Sequence, residues 1–409
     1  MSEFFDALET RSAEEREADL MARLPAQIAH AKTTAYFGKA LAGFEAAAVN
    51  SRAALARLPV IRKHELIELQ KAQRPFGGLV ASTYGRLGRV FSSPGPIYEP
   101  EGRSADWWRT ARALFAAGFR AGDLVHNSFS YHMTPGAWIL EAGAHALGCT
   151  VFPGGVGQTE QQVQAMADLA PKGYVGTPSF LRILVEKADE LGIKLPSLTK
   201  ALVSGEAFLP PVRDALRARG IEGFQAYATA DLGVIAYETR AREGLVVDEG
   251  VILEIVRPGT GDPVAEGEVG EVVVTTFNQD YPLVRFGTGD LSAVLPGVSP
   301  CGRTNIRIKG WMGRADQTTK VKGMFVHPEQ VAEVVKRHPE VAKARLVVTN
   351  PDANDAMTLH CEASGDEALA RAIADSVRDC TKLRGEVKLV APGSLPNDGK
   401  VIEDARKFD

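Results

Sequence analysis

Between residues 107 and 226 the chain repeats one unit, a short apolar strand followed by a helix. Strands read at Leu124-Val-His-Asn-Ser-Phe129, Gly148-Cys-Thr-Val-Phe-Pro153, Tyr174-Val-Gly-Thr-Pro178, Ala201-Leu-Val203 and Gly223-Phe-Gln-Ala226. Helix signals fill the spaces between them: residues 107–119, a run of small residues over 137–147, a helix capped by Thr159, and another after Pro178. Strands joined through helices must run parallel, and such crossovers are right-handed. The expected fold class is therefore α/β. It comprises a large N-terminal domain of mostly parallel layered sheets with a small β-subdomain, then a small mobile α+β lid.

Ligands of open α/β sheets gather beyond the carboxyl ends of the strands. Three clusters sit at such ends here. Phe129, Tyr131 and His132 follow one strand, Ser204-Gly205-Glu206-Ala207 a second, and Tyr227-Ala-Thr-Ala-Asp231 a third. One shared pocket is expected from them. Beyond this block, Val251-Ile-Leu-Glu-Ile-Val256 and Glu271-Val-Val-Val-Thr-Thr276 alternate as strands around a Gly-rich turn. From residue 313 onward the pattern is helix, two strands, helix and strand, a module plausible as an independent body. Domains are thus expected at 1–312 and 313–409.

The chain of 409 residues, 45% of them hydrophobic, is long enough for two or three domains. A net charge of −4 offers no basic field for nucleic acid or an anionic membrane. Cys149, Cys301, Cys361 and Cys380 lack the spacing of a zinc site or a disulfide framework, which suits thiols in a reducing cytosol. No apolar run approaches the length of a transmembrane span and residues 1–30 do not read as a signal peptide, so the expected location is the cytoplasm.

Two motifs stand in order about two dozen residues apart. The first is Tyr281-Pro-Leu-Val-Arg-Phe-Gly-Thr-Gly-Asp290-Leu, read as a strand and then a Gly-rich turn ending on an acid. A carboxylate so placed suits a sugar diol, from which it accepts two hydrogen bonds. The second is Gly313-Arg314-Ala-Asp316, followed by Lys320 and Lys322, a charged turn suited to a hinge. One Thr-Gly-Asp alone is also how a turn with a helix cap looks; the ordered pair makes that reading unlikely. Together they resemble the ribose-binding and hinge motifs of the adenylate-forming superfamily, Arg-Tyr-Arg-Thr-Gly-Asp-Leu and Gly-Arg-x-Asp-Asp. Pro300-Cys-Gly-Arg-Thr304 and Gly323-Met-Phe-Val-His-Pro-Glu-Gln330 resemble its phenylacetate–coenzyme A ligase branch, as do the block from Gly148 to Gln164 and Thr177-Pro-Ser179.

The resemblance implies roles for particular residues. Asp290 would hold the ribose of ATP, Tyr227 would stack on adenine, and the backbone of Gly205, Glu206 and Ala207 would line it. Asp231, where the family has glutamate, would bind Mg2+; the rival reading is an aspartate capping a helix. Phe129, Tyr131 and His132 would face the acid, favouring an aromatic one, although core packing explains aromatic residues equally well. Asp316 would be the hinge, and Arg314 a catalytic cation. Lys400, in Pro392-Gly-Ser-Leu-Pro-Asn-Asp-Gly-Lys400, would touch the acid carboxylate and α-phosphate, as a mobile point charge can. Leu58-Pro-Val-Ile-Arg-Lys-His-Glu-Leu66 resembles a weaker branch motif and is otherwise a plain helix entry.

The chain departs from the family at Ser92-Ser93-Pro-Gly-Pro-Ile-Tyr-Glu-Pro100, where a Ser/Thr-rich phosphate loop with a lysine belongs. Ser92 and Ser93 remain. Pro94, Pro96 and Pro100 lack N–H donors, and Glu99 is expected to repel a triphosphate. The implied activity is ATP-dependent activation of a carboxylic acid to acyl-AMP, then transfer to coenzyme A, with ATP, Mg2+ and coenzyme A as cofactors. An adenylyl transferase with another acceptor, and a degenerate homologue that binds without turnover, are the alternatives. The partners expected are a small-molecule carboxylic acid, no nucleic acid and no membrane; a homodimer is left open, and no residue is assigned to coenzyme A.

Overall fold

The computed structural model describes residues 3–93, 96–315, 317, 319–321, 324–349 and 355–406. The chain divides into two units. The first holds residues 1–253, 274–286 and 295–311; the second holds 254–273, 287–294 and 312–409. The boundary expected at 312/313 falls at 311/312, and two earlier segments join the second unit. The division runs through strands Val251–Val256, Gly270–Thr276 and Phe286–Ser292.

In the first unit the alternation between 107 and 226 becomes a parallel sheet. Its strands are β1 (Leu124–Asn127), β2 (Thr150–Pro153), β3 (Gly173–Gly176), β4 (Lys200–Val203) and β5 (Glu222–Thr229). They stand in the order β2-β1-β3-β4-β5, all parallel, with Val125 opposite both Val151 and Gly173 and Leu202 opposite Phe224. Antiparallel strands β6 (Gly233–Glu238) and β7 (Leu245–Val247) extend it beyond β5. The connection reverses direction between β1 and β3, so the carboxyl ends of these two strands flank the crevice where such sheets take ligands.

Local chemistry explains the helices. Thr177 caps Pro178–Glu190 by accepting from the N–H of Phe180 at 3.3 Å, and Pro178 stands where its missing donor costs nothing. The helix Thr159–Leu169 begins at Thr159 itself; Gln158, in a left-handed conformation, is the cap position. Leu181, Leu184 and Val185 turn inward against Tyr174, Ala201 and Val203. Each fully buried leucine there contributes ~1.5–3 kcal/mol. The N-terminal segment is fastened by buried ion pairs: Arg303 meets Glu9 at 2.6 Å, and Arg16 meets Glu249 at 2.9 Å.

The second unit contains the expected C-terminal module. Lys343–Thr349 and Ala356–Glu362 pair antiparallel, and Glu386–Val390 adds parallel to the latter. A fourth strand that the sequence pattern did not announce, Ile402–Asp404, pairs parallel with Lys343–Thr349. Helices Pro328–Arg337 and Glu367–Thr381 bury Val331, Val334, Ile373 and Val377 in a core shared with Leu346 and Leu359. No helix of the described residues is long and apolar enough to cross a membrane.

Candidate active site

The first-unit residues come together at the carboxyl edge of the parallel sheet. Phe129 leaves the end of β1 with its N–H on Asn127 Oδ1 at 3.1 Å. Its ring lies beside Gly205, where a Cβ would stand 3.4 Å from Phe129 Cε1. Ser204 Oγ donates to the carbonyl of Ala226 at 2.8 Å, joining the ends of β4 and β5. Glu206 turns back to the start of the helix Pro178–Glu190 and accepts from Ser179 N–H at 3.0 Å and from Ser179 Oγ. Burial raises the Glu206 carboxyl, but the hydrogen bonds from Ser179 and Thr177 outweigh it and hold it below the usual range. The side chain is thereby occupied, leaving Gly205, Glu206 and Ala207 exposed. Tyr227 is half-buried on β5.

The proposed acid-facing trio does not converge. Tyr131 points into the helix Gly136–Ala146, donating to Glu141 Oε2 at 2.6 Å and meeting the Trp138 ring edge-on at 5.1 Å. His132 is exposed. Phe129 is the member of the three whose ring lies against Gly205.

Ser92 and Ser93 lie on the strand Arg89–Ser93 of a hairpin with Ile97–Glu101. The Ser92 N–H donates to the carbonyl of Met133 at 2.8 Å, which fixes the hairpin to the loop after β1. The expectation for Glu99 is corrected here. Its carboxylate does not face a ligand; it is fully buried and takes both the N–H of Ser93, at 3.2 Å, and the Ser93 hydroxyl. Burial, with the nearby Asp231 carboxylate, pushes its pKa up to about 7. The serine's donors are thus consumed internally. Pro94 lies outside the described residues.

Asp231 is 3% exposed, and its Oδ2 accepts from Lys63 Nζ at 2.7 Å while Oδ1 is buried. Among the described residues neither that oxygen nor the buried hydroxyl of Tyr281 has a hydrogen-bond partner, and burial, with Asp231 and Glu99, raises the tyrosine's pKa. Among the described residues no three His, Cys, Asp or Glu side chains gather as metal ligands. Mg2+ wants several oxygen ligands in octahedral array. A buried carboxylate already paired with an ammonium does not fit it. Lys63 is the residue that sequence reasoning undervalued; its signal was the lysine in the Leu58–Leu66 stretch.

In the second unit, Gly287, Thr288 and Gly289 belong to the strand Phe286–Ser292, not to a turn. Residues 312–315 run alongside it, with Leu291 N–H on the carbonyl of Gly313 at 2.9 Å and Ala315 N–H on that of Gly289 at 2.7 Å. This places Arg314 Nη1 2.8 Å from Asp290 Oδ1. Gly289 has φ of +74°, and a Cβ there would come within 2.7 Å of the Arg314 guanidinium. Only glycine suits both demands. Asp316 lies outside the described residues.

Lys400 is held by its backbone. Gln317 donates to the carbonyl of Gly399 at 3.0 Å and accepts from the N–H groups of Val401, at 2.5 Å, and Ile402, at 2.8 Å. Gly399, with φ of +70°, seats against Val269 and Leu291, where a Cβ would clash at 2.7 Å. The Lys400 ammonium has no partner among the described residues and lines a cavity of about 510 Å3 with Arg257, Lys336 and Lys343. Asp290, Arg314, Gln317 and Lys400 thus belong to one unit.

A doubly wound sheet followed by a small α+β module is the architecture of an AMP-binding enzyme. The model of the AMP-binding enzyme family matches residues 108–278, and that of the AMP-binding enzyme C-terminal domain matches 323–406. The phenylacetate-coenzyme A ligase of Thermus thermophilus is 31% identical, over 86% of this chain and 87% of that one. That of Aromatoleum evansii is 29% identical over 95% and 93%. The solved open conformation of 2-hydroxyisobutyryl-CoA ligase, in complex with 2-HIB-AMP and CoA, superposes with a TM-score of 0.73 at 27% identity, over 97% of this chain and 92% of that one. The chain belongs to the phenylacetate–coenzyme A ligase branch of the adenylate-forming superfamily.

Proposed function

We propose that this protein is an AMP-forming acid–coenzyme A ligase with an aromatic carboxylic acid as substrate. The observation that carries the reading is the Asp290–Arg314 pair, together with Lys400 held on Gln317, inside a chain whose relatives are phenylacetate-coenzyme A ligases. A carboxylate oxygen of the acid attacks the α-phosphorus of ATP, the bond to pyrophosphate breaks, and acyl-AMP remains. The sulfur of coenzyme A then attacks the acyl carbon, loses its proton, and AMP departs with the electrons of the C–O bond.

Asp290 accepts hydrogen bonds from the ribose hydroxyls, and Arg314 moves from Asp290 to the phosphates. Lys400 places its positive charge on the crowded oxygens around the α-phosphorus in the first step. The residues after 311 act as a lid with Asp316 as pivot, serving the two steps in turn. Phe129 supports the aromatic preference beside the Gly205 loop, and the cytoplasm supplies ATP and coenzyme A. No step is assigned to a metal on Asp231, because Lys63 occupies that carboxylate.

That same pair, with the spent donors of Ser93, favours a second reading: a homologue that binds nucleotide without turnover. Pyrophosphate release measured across a panel of aryl acids, with and without coenzyme A, separates the two. Acid-dependent release with thioester formation in the presence of coenzyme A is expected. Release without thioester would point to a different acceptor, and no release with any acid would leave the binding-only reading.

A further inference from the structure

The first unit carries a second concave site that none of the assigned residues lines. It is a groove of about 650 Å3, and four arginines face it: Arg23, Arg86, Arg103 and Arg109. They come from separate parts of the chain, namely the helix Ala13–Ala31, the turn Tyr84–Arg86, the segment after the hairpin, and the approach to the helix Ala111–Ala116.

Among the residues lining the groove, arginines outnumber carboxylates four to two. Its carboxylates are Asp106 and Asp280. Asp106 accepts from the N–H groups of Thr110, at 2.7 Å, and Ala111, at 3.1 Å, and burial pushes its pKa up to about 6. Asp280 takes the Trp107 indole N–H at 3.0 Å and the Ser82 hydroxyl. Both acids therefore serve the fold. Among the arginines, Arg109 is committed to the carbonyls of Leu232 and Val234 and faces Asp248 at 3.4 Å. Arg23 lies flat over the Phe277 ring at 4.1 Å, with only a half-exposed contact to Asp19. Neither the Arg86 nor the Arg103 guanidinium has a partner among the described residues, and both are exposed.

Isolated surface arginines are ordinary. Four converging on one concavity, two of them uncommitted and one stacked on an aromatic ring, are not. The planar five-donor fork of arginine matches phosphate oxygens two at a time, which an ammonium cannot do. The volume lies within the range of small-molecule sites.

We propose that this groove binds a small molecule carrying two or more phosphate groups, with Arg86 and Arg103 as the principal ligands and Arg23 and Arg109 completing the positive wall. The inference stands apart from the ligase reading, since it needs neither an acid nor turnover. Free polyphosphate, a nucleoside triphosphate and the phosphate-bearing end of coenzyme A share the required chemistry.

The test is calorimetry on the full chain, without any acid, using pyrophosphate, ATP, coenzyme A and dephospho-coenzyme A in turn. The double variant Arg86→Ala/Arg103→Ala should weaken at least one of these ligands by roughly tenfold or more, and Arg86→Lys/Arg103→Lys should restore only part of it. Loss for coenzyme A alone identifies that end as the ligand; loss following total charge identifies nucleotide or polyphosphate. Phenylglyoxal labelling read by mass spectrometry gives a second measure on the unaltered protein, in which the ligand should shield Arg86 and Arg103. If no ligand shields them and none loses affinity in the double variant, the proposal is overturned and the arginines are solvated surface. Ligase activity is scored separately, so its absence leaves this result intact.

Discussion

Asp290 is nine-tenths buried on its strand, and its Oδ1 holds the guanidinium of Arg314 at 2.8 Å. If it also serves the ribose, Asp290→Ala loses a charge-assisted pair worth roughly 1.5–3 kcal/mol. The AMP dissociation constant measured by calorimetry should rise about ten- to a hundredfold; an unchanged constant would remove Asp290 from the site. Glu99 supports a different prediction. Its pKa rises from 4.5 in the unfolded chain to about 7. Between those values the folded protein keeps a proton that the unfolded chain has released. Stability should therefore fall as pH rises through this window, by up to ~1.4 kcal/mol per pH unit, and the effect is absent below pH 4.5. Glu99→Gln should flatten that fall above about pH 6 in urea unfolding curves, leaving at lower pH the slope that Asp106 contributes in the same direction. A parent protein whose stability climbs from pH 5 to 7 would contradict the burial argument.

At the scale of elements, residues 312–315 pair with the strand Phe286–Ser292, and Gln317 clamps the backbone around Lys400. Residue and clamp should be separable by experiment. Lys400→Ala should abolish acid-dependent pyrophosphate release yet still convert supplied acyl-AMP to the thioester; equal loss of both steps would refute a role confined to adenylation. Gln317→Ala removes four hydrogen bonds, those to Arg314, Gly399, Val401 and Ile402, but leaves the ammonium. The first step should slow through kcat by roughly tenfold, the cost of a mobile catalytic group losing its position. KM should change little.

At the scale of the whole molecule, the strands Arg89–Ser93 and Ile97–Glu101 stand in sequence where the family resemblance puts the phosphate loop. Among its described residues the Ser93 hydroxyl is spent on Glu99, and Ser92 gives its N–H to Met133. Little is left there for β- and γ-phosphates. AMP and acyl-AMP should consequently bind at least as tightly as ATP, with adenine, ribose and α-phosphate contacts carrying the affinity. Calorimetry in parallel titrations checks this, and an ATP affinity well above that for AMP would show that another cation has replaced the missing lysine.

Much of this architecture was legible in the chain itself. Alternating strands and helices depend on neighbours a few residues away, so periodicity determined the parallel sheet, although the cap expected at Thr159 falls at Gln158 and the turn expected before Asp290 is strand. The face on which a side chain lands was not so determined. In Ile97-Tyr-Glu-Pro-Glu101 two glutamates share a face with Ile97, and a shift of one residue in hairpin register would have put Glu99 on the face of Tyr98 and Pro100. Glu271 and Asp290 likewise gave no local sign that their strands are shared between two units. Lys63 meets Asp231 across 168 residues and Gln317 meets Val401 across 84. Pairings at such separations, and the desolvation that makes them consequential, exist only once the tertiary structure has brought the elements together.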